Sequence, residues 1–206
     1  MKSEILHLLR HADGYVSGQQ LCETFGVSRT AVWKVINQLK EEGYVIDSVQ
    51  NKGYRITEYP DIITASEIES LLLDDSGNMQ GICRHIQYFD KTDSTNNQAK
   101  LAAEKNAPDG TLFVAECQTG GRGRRGKTWE SPAGSGIWMS LLLRPDISPE
   151  SASMLTLVLA VAMVDAINEE VQDAKCYVKW PNDIVLNNRK ISGTLTEMSA
   201  EMDSIH

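Results

Sequence analysis

The chain has 206 residues, of which 41% are hydrophobic, and a formal net charge of −8 at pH 7. This length supports one large or two small domains, and the acidic balance argues against broad coating of nucleic acid, so any DNA contact should be local. The four cysteines form no C-x-x-C pair, which favours a reducing compartment over a disulfide framework or zinc site. No signal peptide is apparent, and the most apolar run is shorter than the roughly 20 residues that span a bilayer. We therefore expect a cytoplasmic protein that makes no membrane contact.

Residues 1–60 predict three short helices, each with one apolar face. A Gly-Val-Ser turn separates the second helix from the third, and this arrangement is a helix-turn-helix. Two short strands joined by a polar loop follow, which adds a wing. The helices are expected over residues 2–11, 19–25 and 29–42, and the strands around 44–46 and 54–56.

Winged helices bind DNA in some proteins and partner proteins in others. The nearly neutral charge of residues 1–60 weakens non-specific DNA affinity. However, the outer face of the third helix carries basic and polar residues and no acid before Glu41, which favours DNA binding. The candidate DNA contacts are Ser28, Arg29, Thr30, Trp33, Lys34 and Asn37 on this helix and Lys52 on the wing.

Residues 58–61 have the composition of a linker, so we place a domain boundary at residue 60 and a second domain over residues 61–206. In this domain the sequence TDSTNN precedes a helix that extends to about residue 105. A helix cap needs only one such polar side chain, and ordinary capping is the alternative interpretation. The surplus of Ser94, Thr95 and Asn96 offers donors and acceptors suited to a neutral, urea-like ring.

Residues 119–130 read TGGRGRRGKTWE and lie between two predicted strands, residues 111–117 and 135–143. Glycines allow a ligand to approach the backbone, and guanidinium groups bind carboxylate or phosphate through forked hydrogen bonds. A disordered nucleic-acid-binding segment or a solvated loop are the alternatives. The position between strands favours an anion-binding loop, although its spacing is that of neither a P-loop nor a dinucleotide fingerprint. The basic residues are Arg122, Arg124, Arg125 and Lys127.

A very apolar helix over residues 148–170 is predicted to be the central core helix of the second domain. A strand that ends in WPND follows, and then a hairpin with an Asn-Asn turn. On this hairpin, Lys190 beside Ser192 and Gly193 suggests a cation aimed into a shallow cavity. A last strand is expected over residues 194–198.

In chain order, the segments DSTN, AECQTGGRGRRGKTW, KWPNDI and RKISG closely resemble the biotin protein ligases. The preceding winged helix is similar to that of the bifunctional subclass, which also represses biotin operons. The resemblance implies an α+β protein, with an N-terminal winged helix-turn-helix and a mixed α/β catalytic domain of the biotin/lipoate ligase type. Bifunctional members continue past the KWPND hairpin into more sheet and a small β-barrel. We therefore expect that this chain is truncated at its C-terminus.

The resemblance also implies the chemistry. The biotin carboxylate attacks the α-phosphate of ATP to give biotinyl-5′-adenylate, and a lysine of a biotin carboxyl carrier protein then accepts biotin. The implied catalytic residues are Arg122, Arg124, Asp183 and Lys190. The implied biotin contacts are Ser94, Thr95, Asn96, Gln118, Gly121, Arg122, Gly123, Arg124, Lys190 and Gly193. The implied ATP contacts are Arg124, Arg125, Lys127, Trp129, Asn182 and Asp183, with Asp183 also a candidate Mg²⁺ ligand.

In the repressor subclass, the adenylate stabilises a homodimer that binds an operator with two half-sites. Two alternatives of different function remain. A ligand-sensing transcription regulator would use the basic loop to bind a small acid without chemistry. A lipoate ligase would share the broader architecture, but the pair of DSTN and GRGRRG favours biotin.

Overall fold

The computed structural model describes residues 1–171, 175–198, 200–201 and 204–205. The chain forms two compact units, Met1–Tyr88 and Phe89–His206. The predicted boundary between functional domains at residue 60 stays a prediction.

The first unit contains the predicted winged helix-turn-helix. Ser17 and Ser28 cap the second and third helices by accepting hydrogen bonds from the amides of Gln20 and Ala31, and Gly26 ends the second helix in the left-handed conformation. The apolar faces of the helices and hairpin form one buried core. The elements are α1 (Lys2–His11), α2 (Gly18–Phe25), α3 (Arg29–Glu41), β1 (Val45–Val49) and β2 (Gly53–Glu58).

The wing is an antiparallel hairpin of β1 and β2 that is extended by a bridge between Val16 and Tyr54. Gly53 begins β2 with φ 116°, and a Cβ there would lie 2.0 Å from the carbonyl oxygen of Val16. The close backbone contact therefore requires glycine at this position.

A further helix, α4 (Ala65–Leu72), packs against α1. Its Glu67 pairs with Arg10 of α1 at 2.5 Å and accepts a hydrogen bond from the hydroxyl of Tyr44. Burial and, after it, the hydrogen bond to Glu67 raise the pKa of Tyr44, so the phenol stays protonated and donates. This polar contact joins α4 to the winged helix.

From residue 85 onward the chain forms two three-stranded sheets. The first has the order β3-β4-β5, and β4 is buried along its whole length. Its strands are β3 (His85–Phe89), which contains the boundary between the units, β4 (Thr111–Ala115) and β5 (Trp138–Leu142). Helix α5 (Thr95–Glu104) packs on β4 and β5.

The second sheet is antiparallel and has the order β6-β7-β8. The turn between its last two strands consists of Asn187 and Asn188, both with positive φ, as the hairpin prediction requires. The strands are β6 (Tyr177–Lys179), β7 (Asp183–Leu186) and β8 (Arg189–Gly193), followed by the short pair β9 (Ala200–Glu201) and β10 (Ser204–Ile205).

The predicted start and burial of the apolar helix and the predicted last strand are wrong. The apolar helix begins at Met154 as α6 (Met154–Glu170), after a short 3-10 turn over Pro149–Ser151. It is not a buried core helix, because Ala160 is its one buried residue while Val158 is 60% exposed. Its apolar side chains run around the helix, and its main packing partners, β6 and β7, leave many of them uncovered. Residues 194–198 form no strand.

Within the described residues, no helix is both long enough and apolar enough to cross a bilayer.

Candidate functional site

The basic loop is held by its own backbone. Arg122 and Thr128 form an antiparallel bridge, the amide of Gly123 donates to the carbonyl oxygen of Lys127 at 2.7 Å, and Arg124–Gly126 form a 3-10 turn. This geometry contradicts the alternative of a structureless Gly/Arg segment. The basic loop is an ordered connection between β4 and β5.

Gly121 at the base of this loop has no room for a side chain. A Cβ there would lie 2.3 Å from the carbonyl oxygen of Trp129 and 2.8 Å from Oγ of Ser131. The Trp129 amide also donates to the carbonyl oxygen of Gly121 at 2.9 Å. This contact fixes the start of the loop against its end.

A neutral polar cluster lies at the start of α5. Oε1 of Gln118 accepts from both the amide and the hydroxyl of Thr95, at 2.8 and 3.1 Å, while its Nε2 donates to Oγ of Ser131 at 3.0 Å. Oγ1 of Thr95 lies 2.7 Å from Oγ of Ser140. Ser94 is the buried N-cap residue, yet its hydroxyl makes no capping bond, so its donor and acceptor are available to a ligand. Thr95 and Gln118, predicted from distant segments, are therefore in direct contact.

The amide of Asn96 connects this cluster to a carboxylate. Its Nδ2 donates to Oε2 of Glu197 at 2.9 Å, and its Oδ1 accepts from the hydroxyl of Ser140. Glu197 also pairs with Lys100 at 3.2 Å and lies 3.9 Å from the guanidinium of Arg122. Burial alone would raise the pKa of Glu197, but the hydrogen bonds from Asn96 and Lys100 lower it.

Arg122 is also oriented from α5. It donates to Oδ1 of Asn97, whose Nδ2 in turn donates to Asp93 at 2.5 Å. The Asp93 carboxylate accepts further bonds from Gln98 and Thr92. The hydrogen bond from Asn97, followed by those from Gln98, the Ser94 amide and Thr92, lowers the pKa of Asp93 to about 2 against the opposing effect of burial.

A second cluster lies on the β6-β7-β8 sheet. Nζ of Lys190 is 2.6 Å from Oδ1 of Asp183 and 4.8 Å from the ring centroid of Trp129. Nη1 of Arg124 donates to Oδ1 of Asn182 at 2.9 Å. The basic loop and the KWPND hairpin are thus in contact at two places.

The structure does not bring every predicted residue into these clusters. Arg125 and Lys127 are exposed, and neither side chain makes a hydrogen bond or ion pair with a described residue. Sequence reasoning also missed contributors to the network. Glu197 lies outside the recognised motifs, and its one signal is that it is the first acid after RKISG. The other missed contributors are Asp93, Asn97, Ser131 and Ser140.

The predicted DNA-contacting residues lie in the first unit. Ser28 caps α3, and the side chain of Trp33 is 57% exposed on its outer face. Arg29 and Lys52 both line one cleft, together with residues of α3 and the wing. Arg29, Thr30, Lys34 and Lys52 are exposed, and Asn37 is partly buried.

Comparison with known proteins identifies both units. Residues 88–206 match the family described as the Biotin/lipoate A/B protein ligase family, and residues 2–55 match an HTH domain. The chain is 43% identical over 206 residues to the Bifunctional ligase/repressor BirA of Bacillus subtilis and 34% identical over 198 residues to that of Escherichia coli. These alignments cover 100% and 96% of this chain.

The chain spans 62% and 58% of the length of these two relatives. Among solved structures, it is similar to a biotin protein ligase from Aquifex aeolicus in complex with biotin and ATP. That likeness has a TM-score of 0.50 and 34% sequence identity, and covers 59% of this chain and 49% of the other. The family match covers more than half of the chain, and the chain therefore belongs to the biotin/lipoate A/B protein ligase family.

Proposed function

We propose that this chain carries the biotin-activating part of a bifunctional biotin protein ligase and repressor. Its reaction forms biotinyl-5′-AMP from biotin and ATP, and the biotinyl group then passes to a lysine of a biotin carboxyl carrier protein. The winged helix represses transcription in response to biotin. The names of the relatives support this proposal, since they are described as ligase/repressors, and the solved ligase from Aquifex aeolicus contains biotin and ATP.

The observation that carries the proposal concerns two groups of side chains in the second unit. One is the neutral cluster of amides and hydroxyls around Thr95 and Gln118. The other is three basic side chains, two on the basic loop and one on the RKISG strand, namely Arg122, Arg124 and Lys190. Biotin has the matching chemistry, with a neutral cyclic urea at one end and a carboxylate at the other. The Thr95–Gln118 pair gives the ring subsite paired donors and acceptors. We assign the urea ring to Ser94, Thr95, Asn96 and Gln118, the tail to Gly121, Gly123 and Gly193, and the carboxylate and α-phosphate to Arg122, Arg124 and Lys190.

The reaction needs positioning and charge stabilisation more than a protein nucleophile. A carboxylate oxygen of biotin attacks the α-phosphorus of ATP, an oxygen–phosphorus bond forms, and the bond to the leaving pyrophosphate breaks. Because two anions must approach each other, fixed cations at the meeting point lower the barrier. The amine of the carrier lysine then attacks the acyl carbon, AMP leaves, and the amine loses its proton.

We expect the nucleotide to contact the residues of the basic loop that biotin does not use. Trp129 is a flat surface for the adenine, and its ring already carries the Lys190 ammonium on one face. Arg125 and Lys127 are exposed and free to reach the pyrophosphate part of ATP. Asn182 holds Arg124, so it acts on the nucleotide through that guanidinium.

Mg²⁺ fits this site only together with ATP. Among the described residues, no group of three or more His, Cys, Asp or Glu side chains is placed to hold a metal ion. Mg²⁺ in nucleotide sites is commonly held by one or two carboxylates together with phosphate oxygens and water. Asp183 is the carboxylate that we expect at the ion, which would neutralise phosphate charge.

The repressor part of the proposal rests on the exposed face of α3 and the wing. Ser28 and Arg29 are expected near phosphates, whereas Thr30, Trp33 and Lys34 face the major groove, and Lys52 reaches the backbone from the wing. We further propose a homodimer on a two-half-site operator and a cytoplasmic location.

The decisive experiment measures biotin-dependent release of pyrophosphate from ATP and Mg²⁺ by the whole chain, with biotin binding followed by calorimetry. The ligase proposal expects both signals. Asp183→Asn separates the ligase from a ligand sensor, because a ligase should lose turnover while keeping biotin affinity. Biotin binding without pyrophosphate release in the unmodified chain would support the biotin site and place the defect in the nucleotide site. Lipoic acid, added in place of biotin, tests the lipoate alternative.

A further inference from the structure

Each side-chain amide of the ring subsite can occupy two orientations that differ only by exchange of its oxygen and nitrogen. A cyclic urea presents a carbonyl acceptor and N–H donors at fixed positions, so only one orientation of each amide suits it. Selective binding therefore needs a partner that accepts one orientation and rejects the other.

Gln118 has such a partner in the backbone. The Thr95 amide can only donate, and it lies 2.8 Å from the side-chain oxygen of Gln118. The reversed Gln118 would place two donors against each other. Its orientation is therefore fixed by the start of α5.

The neutral neighbours of Asn96 do not provide such a partner. Ser140 and Thr95 bear hydroxyls, and a hydroxyl both donates and accepts. If Asn96 were reversed, its nitrogen could donate to Ser140, the Ser140 proton could pass to Thr95, and the Thr95 proton could pass to Gln118. Every contact in that chain would then be satisfied. In the observed orientation both hydroxyl protons are already used, by Gln118 and by Asn96, and the 2.7 Å contact between Thr95 and Ser140 has no proton. The hydroxyl network alone therefore favours the reversed orientation.

Glu197 opposes the reversed orientation. An ionised carboxylate can only accept, and Oε2 of Glu197 lies 2.9 Å from Nδ2 of Asn96. Reversal would bring the Asn96 oxygen against a negative charge. The Lys100 ammonium, 3.2 Å from Oε1, favours the ionised form, and the lowered pKa of Glu197 agrees with it.

We propose that Glu197 is a positioning residue that fixes the orientation of the Asn96 amide for recognition of a cyclic urea. The effect on ligand binding rests on the proposed biotin site, whereas the orientation itself is a property of the empty chain. Two of the four hydrogen-bonding positions of the amide are used by Glu197 and Ser140, which leaves one donor and one acceptor for the ring.

The test compares the whole chain with Glu197→Gln, which keeps the size of the side chain but can donate as well as accept. Nuclear magnetic resonance follows the side-chain amide protons of Asn96, assigned by their loss in Asn96→Ser. We expect one slowly exchanging proton in the unmodified chain and at least roughly tenfold faster exchange in Glu197→Gln, since a tenfold change corresponds to the loss of one ordinary hydrogen bond. Unchanged exchange overturns the proposal, whether or not the chain binds biotin.

Calorimetry with biotin and with its neutral carboxamide then separates orientation from charge. If Glu197 fixes the orientation of Asn96, Glu197→Gln should weaken the binding of both ligands by a similar factor of about ten, because both contain the ring. If Glu197 served instead as the counter-ion of Arg122, the variant would bind biotin more tightly and the carboxamide unchanged, which overturns the proposal. Lys100→Gln is the matched control, because it removes the lysine partner of Glu197 but keeps the contact with Asn96, and it should change either affinity by less than about twofold.

Discussion

The ammonium of Lys190 lies 2.6 Å from the carboxylate of Asp183, and the Lys190 side chain reaches it by crossing directly over Gly193. A Cβ on Gly193 would be 2.8 Å from Nζ and 2.9 Å from Cε of Lys190. The missing side chain of Gly193 therefore leaves the space that the lysine occupies.

Gly193→Ala should displace Lys190 without unfolding the chain, because the clash is with the mobile end of a side chain and φ of Gly193 lies outside the left-handed region. We expect a loss of adenylation rate of roughly tenfold to a hundredfold, in line with loss of one well-placed charge, and a thermal midpoint close to that of the unmodified chain. Pyrophosphate release and thermal unfolding measure the two quantities.

A double-mutant cycle controls this result. If Gly193→Ala acts through Lys190, it should add almost nothing to the defect of Lys190→Ala, since the two changes are not independent. Additive losses would show that the methyl group disturbs another part of the site.

Gly121→Ala should be far more damaging than Gly123→Ala. At position 121 the new methyl group meets a backbone oxygen at 2.3 Å, whereas at 123 its nearest neighbour is at an ordinary 3.5 Å. We expect Gly121→Ala to lower the free energy of unfolding of the second unit by about 2 kcal/mol or more and to abolish measurable biotin binding. Calorimetry and denaturant unfolding of both variants check this order, and equal effects would contradict it.

The acid sensitivity of the second unit should depend on Asp93. Its pKa is about 2 in the folded chain and higher when unfolded, so its stabilising effect is complete above about pH 4 and is lost as the pH falls towards 2. The carboxylate is exposed, and screening by water limits the effect to about 1 kcal/mol or less. In denaturant unfolding between pH 2 and pH 6, the free energy of unfolding of the second unit should fall less with decreasing pH in Asp93→Asn than in the unmodified chain. Parallel profiles for the two chains would refute the role of Asp93.

The local rules of helices and turns predicted much of the fold from sequence. Ser28 capped α3, Gly26 ended α2, and the Asn187-Asn188 turn formed as expected, because each depends on a few neighbouring residues. The exposure of α6 could not be predicted. A helix that is apolar on every side is expected to be buried, but its sequence does not show which elements would cover it. The predicted start of that helix was wrong for a local reason, because Pro149 lies in a separate 3-10 turn.

In the candidate site, too, local patterns could be predicted and long-range contacts could not. Motifs identified Thr95, Gln118, Arg124 and Lys190, because their chemistry is concentrated in short segments. The partners that orient Thr95, Asn96 and Arg122 lie on β5, in the segment after β8 and on α5, and Glu197 contacts Asn96 across 101 positions of sequence. No spacing rule in a single sequence predicts a contact of that range.

Glu67 should contribute more to stability than an exposed acid of the same unit. It pairs with Arg10 where both side chains are less than one-fifth exposed, and removal of one member of a buried pair leaves the other charge uncompensated. We expect Glu67→Gln to lower the free energy of unfolding of the first unit by about 3 kcal/mol, and Tyr44→Phe by about 1 kcal/mol. Asp47→Asn breaks the exposed pair with Arg55 and should cost at most about 0.5 kcal/mol. Equal costs for Glu67→Gln and Asp47→Asn would show that α4 is not held by this pair.

The wing should contribute to DNA affinity through charge rather than sequence. Lys52 is exposed at the tip of the wing, and a phosphate contact there would release about one counterion from the duplex. Lys52→Gln should therefore weaken binding to a duplex of random sequence and reduce the slope of log K against log salt by about one. Lys105→Gln removes an exposed lysine from the second unit and should leave the slope unchanged. Fluorescence anisotropy across a salt series measures both slopes, and the same slope for Lys52→Gln as for the unmodified chain would remove the wing from the DNA interface.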